Sequence, residues 1–168
     1  MDEHGSTIHW KKSRLRAFTL IELMIVISIL AILAALVIPS MAGASDQARI
    51  ETMATNVEAV RTQIVMHASS SSYPSSVDAS WFKNSKLPRH AWTGEELVVE
   101  AVSLGADVIY PETKTYDPSV GGAANAWYNS TNGNFCARVV TQKTDADTLR
   151  VFNDANKTSA TALTQTQR

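Results

Sequence analysis

The longest run of apolar side chains lies near the N-terminus, over residues 18–38, and only Thr19, Glu22 and Ser28 interrupt it. At a rise of about 1.5 Å per residue, a helix of this length is about 30 Å long and matches the hydrocarbon core of a bilayer. In the remainder of the chain, polar residues divide the apolar ones into shorter groups. The pattern therefore predicts one membrane-spanning helix over residues 18–44.

The pattern changes after residue 44 to that of an amphipathic helix. Apolar side chains recur every three or four positions over residues 45–68, at Ile50, Met53, Val57, Val60 and Ile64. Such a stripe is typical of a helix that buries one face against a sheet. Pro39 precedes the stripe, and a proline inside a helix removes one hydrogen bond and kinks the axis. We therefore predict one long, kinked helix that joins the membrane span to the amphipathic half.

Strand signals are clearest in the last third of the chain. The dipeptide Asn132-Gly133 lies between residues 126–129 and residues 135–140, both of which contain aromatic or β-branched side chains. Asn-Gly between two such runs predicts a β-hairpin, because both residues accept a positive φ.

Three further segments carry weaker strand signals. Residues 148–152 follow a turn-like Asp145-Ala146-Asp147 and predict a third strand, residues 107–110 predict a short strand, and residues 97–102 fit either a strand or a short helix. The expected fold class is α+β, with the long kinked N-terminal helix packed on a small antiparallel sheet of three to four strands.

These patterns divide the chain of 168 residues into four parts. A basic leader covers residues 1–17, the membrane helix residues 18–44, an exported domain residues 45–153, and a polar tail residues 154–168. The net charge of −1 gives no electrostatic reason to expect a nucleic-acid partner. Cys136 is the only cysteine, so an intrachain disulfide is excluded, and its strand context indicates a small buried side chain.

Four positive charges stand directly before the apolar run, at Lys11, Lys12, Arg14 and Arg16. Basic residues flanking a span stay in the cytoplasm, which places the domain after residue 44 on the outer side.

A cleaved secretory signal also has a basic start, but its apolar region covers only about 7–15 residues. A plain single-span anchor explains the length of the run but leaves Glu22 unexplained, because an ionisable group inside an apolar helix is costly and usually has a partner.

The segment Arg16-Ala17-Phe18-Thr19-Leu20-Ile21-Glu22-Leu23 resembles the processing site of type IV pilins and of the pseudopilins of type II secretion. The resemblance implies that a prepilin peptidase cleaves between Ala17 and Phe18 and that the new amine of Phe18 is methylated. It also implies that Glu22 pairs with the N-terminal amine of a neighbouring subunit in a filament and so sets the register of assembly. Pro39 stands where many family members have a helix-bending proline. Ala17 departs from the family, in which this residue is usually glycine, but it keeps the small side chain.

The resemblance implies a structural subunit of a type IV pilus-like or type II secretion pseudopilus filament. Its expected partners are the prepilin peptidase and methylase, an inner-membrane assembly platform, other pilin subunits and the membrane. The expected location is the bacterial inner membrane, with a cytoplasmic N-terminus and a periplasmic or extracellular domain, followed by the filament. A low-copy minor pilin or adhesin-like binding subunit with the same anchor is the alternative.

No arrangement of residues in the sequence points to catalysis, so the chain is not expected to be an enzyme. Asp145, Asp147 and Asp154 are weak candidates for a calcium site, because some pseudopilins bind calcium in a C-terminal loop. Carboxylates at this spacing are more often solvated, and no cofactor is required by the sequence.

Overall fold

The computed structural model describes residues 18–70 and 72–164, with the backbone alone for residues 35–44. Its main elements are helix α1 (Leu20–His67), strands β1 (Val99–Val102), β2 (Ala126–Asn129) and β3 (Asn134–Ala137), and helix α2 (Asp145–Asn156). Two short 3-10 turns, Ala79–Trp81 and Lys83–Ser85, follow α1. The chain forms two compact units, divided between Ala42 and Gly43.

The described part of the first unit is the beginning of α1, and all its side chains from residue 18 to residue 34 are exposed. Within the residues whose placement is described, no helix has both the length and the apolar character needed to cross a membrane.

The second unit is the α+β domain that the sequence predicted, and its core contains the stripe of α1. Ile50, Met53, Val57, Val60 and Ile64 are all at most 3% exposed. They form one hydrophobic core with side chains of the sheet and of α2, among them Tyr128, Phe135 and Phe152. The prediction that this helix face is buried against a sheet is confirmed.

The sheet has three strands in the order β1-β2-β3 and is mixed, which corrects the prediction of an antiparallel sheet. β2 and β3 form the predicted hairpin, with Trp127 opposite Cys136 and Gly133 at φ +77° in the turn. A Cβ atom at Gly133 would overlap the ring of Tyr73, which packs directly against the turn. β1 pairs parallel to β2, with Val99 opposite Ala126. A long connection over residues 103–125 joins these two strands and allows the parallel direction.

The predicted third strand over residues 148–152 is wrong, because these residues lie in α2. Thr144 caps this helix, since its side-chain oxygen accepts a hydrogen bond from the Asp147 N–H at 3.1 Å. Asp145 and Asp147 add negative charge to the first turn, which favours a helix N-terminus. The buried residues follow helical rather than strand spacing, at Thr148, Val151, Phe152, Ala155 and Asn156. The segment 107–110 forms no strand either.

The expected polar tail also differs from the structure. Its first three residues, 154–156, belong to α2, and the described residues that follow pack back on the domain. Ala160 is only 4% exposed and its carbonyl accepts a hydrogen bond from the Asn153 side chain at 2.9 Å. The Lys114 N–H donates to the Leu163 carbonyl at 3.1 Å, which anchors the segment further along.

Removal of the α2 cap tests this account of the helix. Thr144→Ala is expected to lower the free energy of unfolding by about 1 kcal/mol, because the first turn loses a side-chain acceptor. Urea unfolding of the detergent-solubilised protein measures the change. Thr141→Ala removes an exposed hydroxyl just ahead of the helix and is the matched control, with an expected change within about 0.5 kcal/mol. Equal effects of the two substitutions would contradict the assigned cap.

Candidate functional site

Glu22 lies in the first turn of α1, where it forms a reciprocal cap with Thr19. The Thr19 N–H donates to Glu22 Oε2 at 2.9 Å, and the Glu22 N–H donates to Thr19 Oγ1 at 3.3 Å. The Thr19 hydroxyl also donates to Glu22 Oε2, at 2.8 Å. This is a capping box, in which two side chains satisfy backbone N–H groups that the helix start would leave unpaired. The carboxylate of Glu22 therefore has partners within its own subunit.

The helix that follows presents apolar side chains on every side. Phe18 is 77% exposed and Leu20 78%, and the other large apolar side chains up to Leu33 are exposed as well. Ser28 is polar, but its hydroxyl donates to the Met24 carbonyl at 2.7 Å and needs no outside partner. A helix with apolar side chains on all sides is stable only when lipid or other apolar helices shield it from water. The segment therefore requires a covering that the described residues do not supply.

Several predicted site residues lie outside what the structure describes. Ala17 and the leader charges Lys11, Lys12, Arg14 and Arg16 precede residue 18. Pro39 lies within α1, but its side chain is among those that are not described. The cleavage site and the kink therefore stay predictions.

The carboxylates proposed as calcium ligands do not form a cluster. Asp147 accepts a hydrogen bond from the Thr144 hydroxyl at 2.8 Å, whereas Asp154 pairs with Arg150 at 3.4 Å near the other end of α2. Among the described residues, no group of three histidine, cysteine, aspartate or glutamate side chains is placed to hold a metal ion.

A buried polar cluster, which the sequence did not single out, surrounds His90. The His90 Nε2–H donates to the Arg138 carbonyl at 2.8 Å, so Nδ1 is the acceptor of the neutral ring. The Tyr116 hydroxyl lies 3.2 Å from this Nδ1 and 3.2 Å from the Thr93 hydroxyl. Burial lowers the pKa of His90 and raises that of Tyr116. The His90 and Tyr116 side chains are therefore neutral. Their hydrogen bonds link the segments of the chain that contain His90, Tyr116 and Arg138.

The sequence also missed two side chains that close the outer edge of β3. Arg61 on α1 donates from Nη2 to the Phe135 carbonyl at 2.9 Å and from Nη1 to the Asn156 carbonyl at 2.9 Å. The Asn156 amide accepts from the Ala137 N–H at 2.7 Å and donates to the Ala137 carbonyl at 2.9 Å. Asn156 thus replaces the peptide group of a neighbouring strand. The adjacent Cys136 is fully buried, and burial raises the pKa of its thiol to about 11.

Comparisons with known proteins bear on the N-terminal segment. The family model described as a prokaryotic N-terminal methylation motif matches residues 12–38. No curated protein and no solved structure is significantly similar to the chain. The matched range includes Ala17, Phe18 and Glu22 and ends just before Pro39. The motif is the recognition site of the prepilin peptidase and implies a membrane-anchored precursor.

The predicted resemblance is thereby confirmed for the segment that carried it. Residues 12–38 of this chain form a prokaryotic N-terminal methylation motif, the signature of type IV pilins and pseudopilins.

Proposed function

We propose that this chain is a structural subunit of a type IV pilus-like or type II secretion pseudopilus filament. The motif over residues 12–38 carries the proposal, because it supports a pilin- or pseudopilin-type subunit and suggests a structural role rather than an enzymatic one. In this proposal the precursor is held in the inner membrane by residues 18–44 until the leader is removed and the subunit is assembled.

The leader determines the orientation of the precursor. Lys11, Lys12, Arg14 and Arg16 keep the N-terminus in the cytoplasm, and the α+β domain is carried to the outer side. The prepilin peptidase then cuts between Ala17 and Phe18 and methylates the new amine of Phe18. The small side chain of Ala17 suits a scissile bond held in an extended conformation in a protease groove.

The exposed apolar helix supports self-association as the next step. All described side chains over residues 18–34 are exposed in the single chain, so leaving the lipid requires a new apolar covering. Identical helices of neighbouring subunits provide it in a filament, and an inner-membrane assembly platform delivers each subunit. The proposed kink at Pro39 adjusts the path of the helix within this packing.

Glu22 determines the axial position at which a subunit is added to the filament. In the single subunit its carboxylate is held by Thr19 at the start of α1, one turn from Phe18. Packing among apolar helices removes this carboxylate from water, and a buried charge without an opposite charge costs several kcal/mol. The amine of a neighbouring Phe18 supplies that charge only when the added subunit has the correct axial position.

Mass spectrometry of the N-terminus tests the proposal at its first step. The protein extracted from membranes is expected to begin with N-methylated Phe18. Ala17→Gly is expected to be processed at least as completely, while Ala17→Leu is expected to accumulate as precursor because the larger side chain obstructs the protease groove. A wild-type protein that keeps residues 1–17, or that begins near residue 44, would contradict the proposed class.

A further inference from the structure

The two edges of the sheet differ in how their backbone groups are paired. At β3, the side chain of Asn156 occupies the outward N–H and carbonyl of Ala137, and Arg61 occupies the outward carbonyl of Phe135. Just beyond β3, Val139 is paired with the backbone on both sides of Thr115, because its N–H donates to the Lys114 carbonyl and its carbonyl accepts from the Tyr116 N–H. No additional strand can be added to this edge.

The outer edge of β1 is open. The carbonyls of Val98 and Val102 face β2, because they accept from the N–H groups of Ala126 at 3.1 Å and Ser130 at 2.8 Å. Successive residues of a strand point their backbone groups in opposite directions, so those of Val99 and Ala101 face away from the sheet. No other backbone group in the described part of the chain is bonded to them.

β1 is only four residues long and carries the charge of Glu100, two features that oppose strand addition, but two others are absent. Neither lysine nor proline occurs over residues 97–104, and such residues are the common means of protecting an edge. Ala101 is exposed, and Val98 and Leu104 are each 44% exposed at the two ends of the strand. A hollow of about 500 Å³, lined in part by Glu100, Leu104 and Trp127, lies beside the strand and offers room for side chains.

The charge around this edge indicates what can occupy it. Residues 94–112 contain no lysine or arginine but five carboxylates, Glu95, Glu96, Glu100, Asp107 and Glu112. Glu100 is paired with Arg138, and both line the hollow together with Glu112. Arg138 offsets the charge of Glu100, and Arg89 lies opposite Glu96, so positive charge accompanies two of these five carboxylates. The segment around β1 itself is acidic, which favours a positively charged partner.

A second copy of the chain does not meet these requirements. The closed edge of β3 prevents pairing of β1 with β3 of another molecule. Pairing of β1 with another β1 would bring two carboxylate-rich segments together, and like charges across neighbouring strands are destabilising. We propose that β1 accepts an extended, basic segment of a different polypeptide as a fourth strand. This inference goes beyond filament assembly and does not depend on it.

Peptide binding to the purified full-length protein in a non-ionic detergent tests the proposal. The probe is a fluorescent, end-blocked octapeptide that alternates lysine and valine, and its counterpart alternates glutamate and valine. Fluorescence anisotropy measures affinity, and hydrogen exchange measures protection of the Val99 and Ala101 amides. The lysine peptide is expected to bind at least about tenfold more tightly than the glutamate peptide and to slow exchange at both amides.

Two substitutions at one position separate strand addition from simple charge attraction. Ala101→Pro removes an outward N–H without removing a bond to β2, and is expected to weaken binding of the lysine peptide about tenfold. Ala101→Thr keeps the N–H and favours a strand, so binding is expected to be unchanged. Near-UV circular dichroism verifies that both variants are folded.

The other outcomes overturn the proposal. Binding of the lysine peptide without slower exchange at Val99 and Ala101 would show a surface charge effect elsewhere, and equal binding of both peptides would exclude a basic partner. Slower exchange that increases with protein concentration in the absence of peptide would show that a second copy occupies the edge. The exchange measurement uses the wild-type protein, so it decides the question even if Ala101→Pro does not fold.

Discussion

Glu22→Gln is expected to lower incorporation of the subunit into sheared filaments by about a hundredfold or more, while leaving membrane insertion intact. Glutamine keeps an acceptor for the Thr19 N–H, so the cap at the start of α1 is retained. The negative charge is lost, and the amine of a neighbouring Phe18 would be buried without a partner, at a cost of about 3–5 kcal/mol. Immunoblots of sheared filaments measure incorporation, and immunoblots of membranes measure membrane insertion.

Thr19→Val is the control that separates the charge from the cap. Valine has nearly the shape of threonine but cannot make either side-chain hydrogen bond to Glu22. The helix start is expected to be weakened by about 1 kcal/mol, and filaments are expected to form at close to the wild-type level. Normal assembly of the Glu22→Gln variant would exclude the charge pairing, and loss of assembly in both variants would assign the role of Glu22 to the cap.

Asn156→Ala is expected to lower the free energy of unfolding of the domain by about 2–4 kcal/mol. Alanine leaves the N–H and the carbonyl of Ala137 without partners in a site where Asn156 itself is fully buried. The Phe152 carbonyl also loses the hydrogen bond that it accepts from the same amide, at 2.9 Å. The change is measured by urea unfolding of the detergent-solubilised protein, followed by tryptophan fluorescence.

Asp154→Ala is the matched control in the same helix. Its carboxylate pairs with Arg150 at 3.4 Å, and both side chains are about half exposed, so the pair contributes little. The expected change is within about 0.5 kcal/mol. Similar losses in the free energy of unfolding for the two substitutions would mean that α2 is sensitive to any change. The pairing of Asn156 with β3 would then contribute no more to stability than an exposed ion pair.

The sequence predicted those elements whose signals are local. The stripe from Ile50 to Ile64 and the Asn132-Gly133 turn each depend on residues only a few positions apart, and the structure confirms both. Glu22 was identified as a site residue, but its partner Thr19 was missed. The spacing of threonine and glutamate by three residues is the signal that would have found the cap.

The errors have a common physical cause. The start of α2 was interpreted as a turn because aspartate favours turns as well as the first turn of a helix, and the two are distinguished by the Thr144 cap. The parallel direction of β1 depends on β2, which is distant in the chain, and no local pattern specifies it. The role of Asn156 likewise arises only when α2 lies beside β3.

The hydrogen bond from Arg61 to the Asn156 carbonyl joins residues 95 positions apart in the chain. This contact cannot form until the chain has been synthesised as far as residue 156. During synthesis, the apolar stripe of α1 emerges long before α2 can cover its side of the core. The nascent domain therefore exposes apolar surface until almost all of it has left the ribosome, a state that is prone to aggregation.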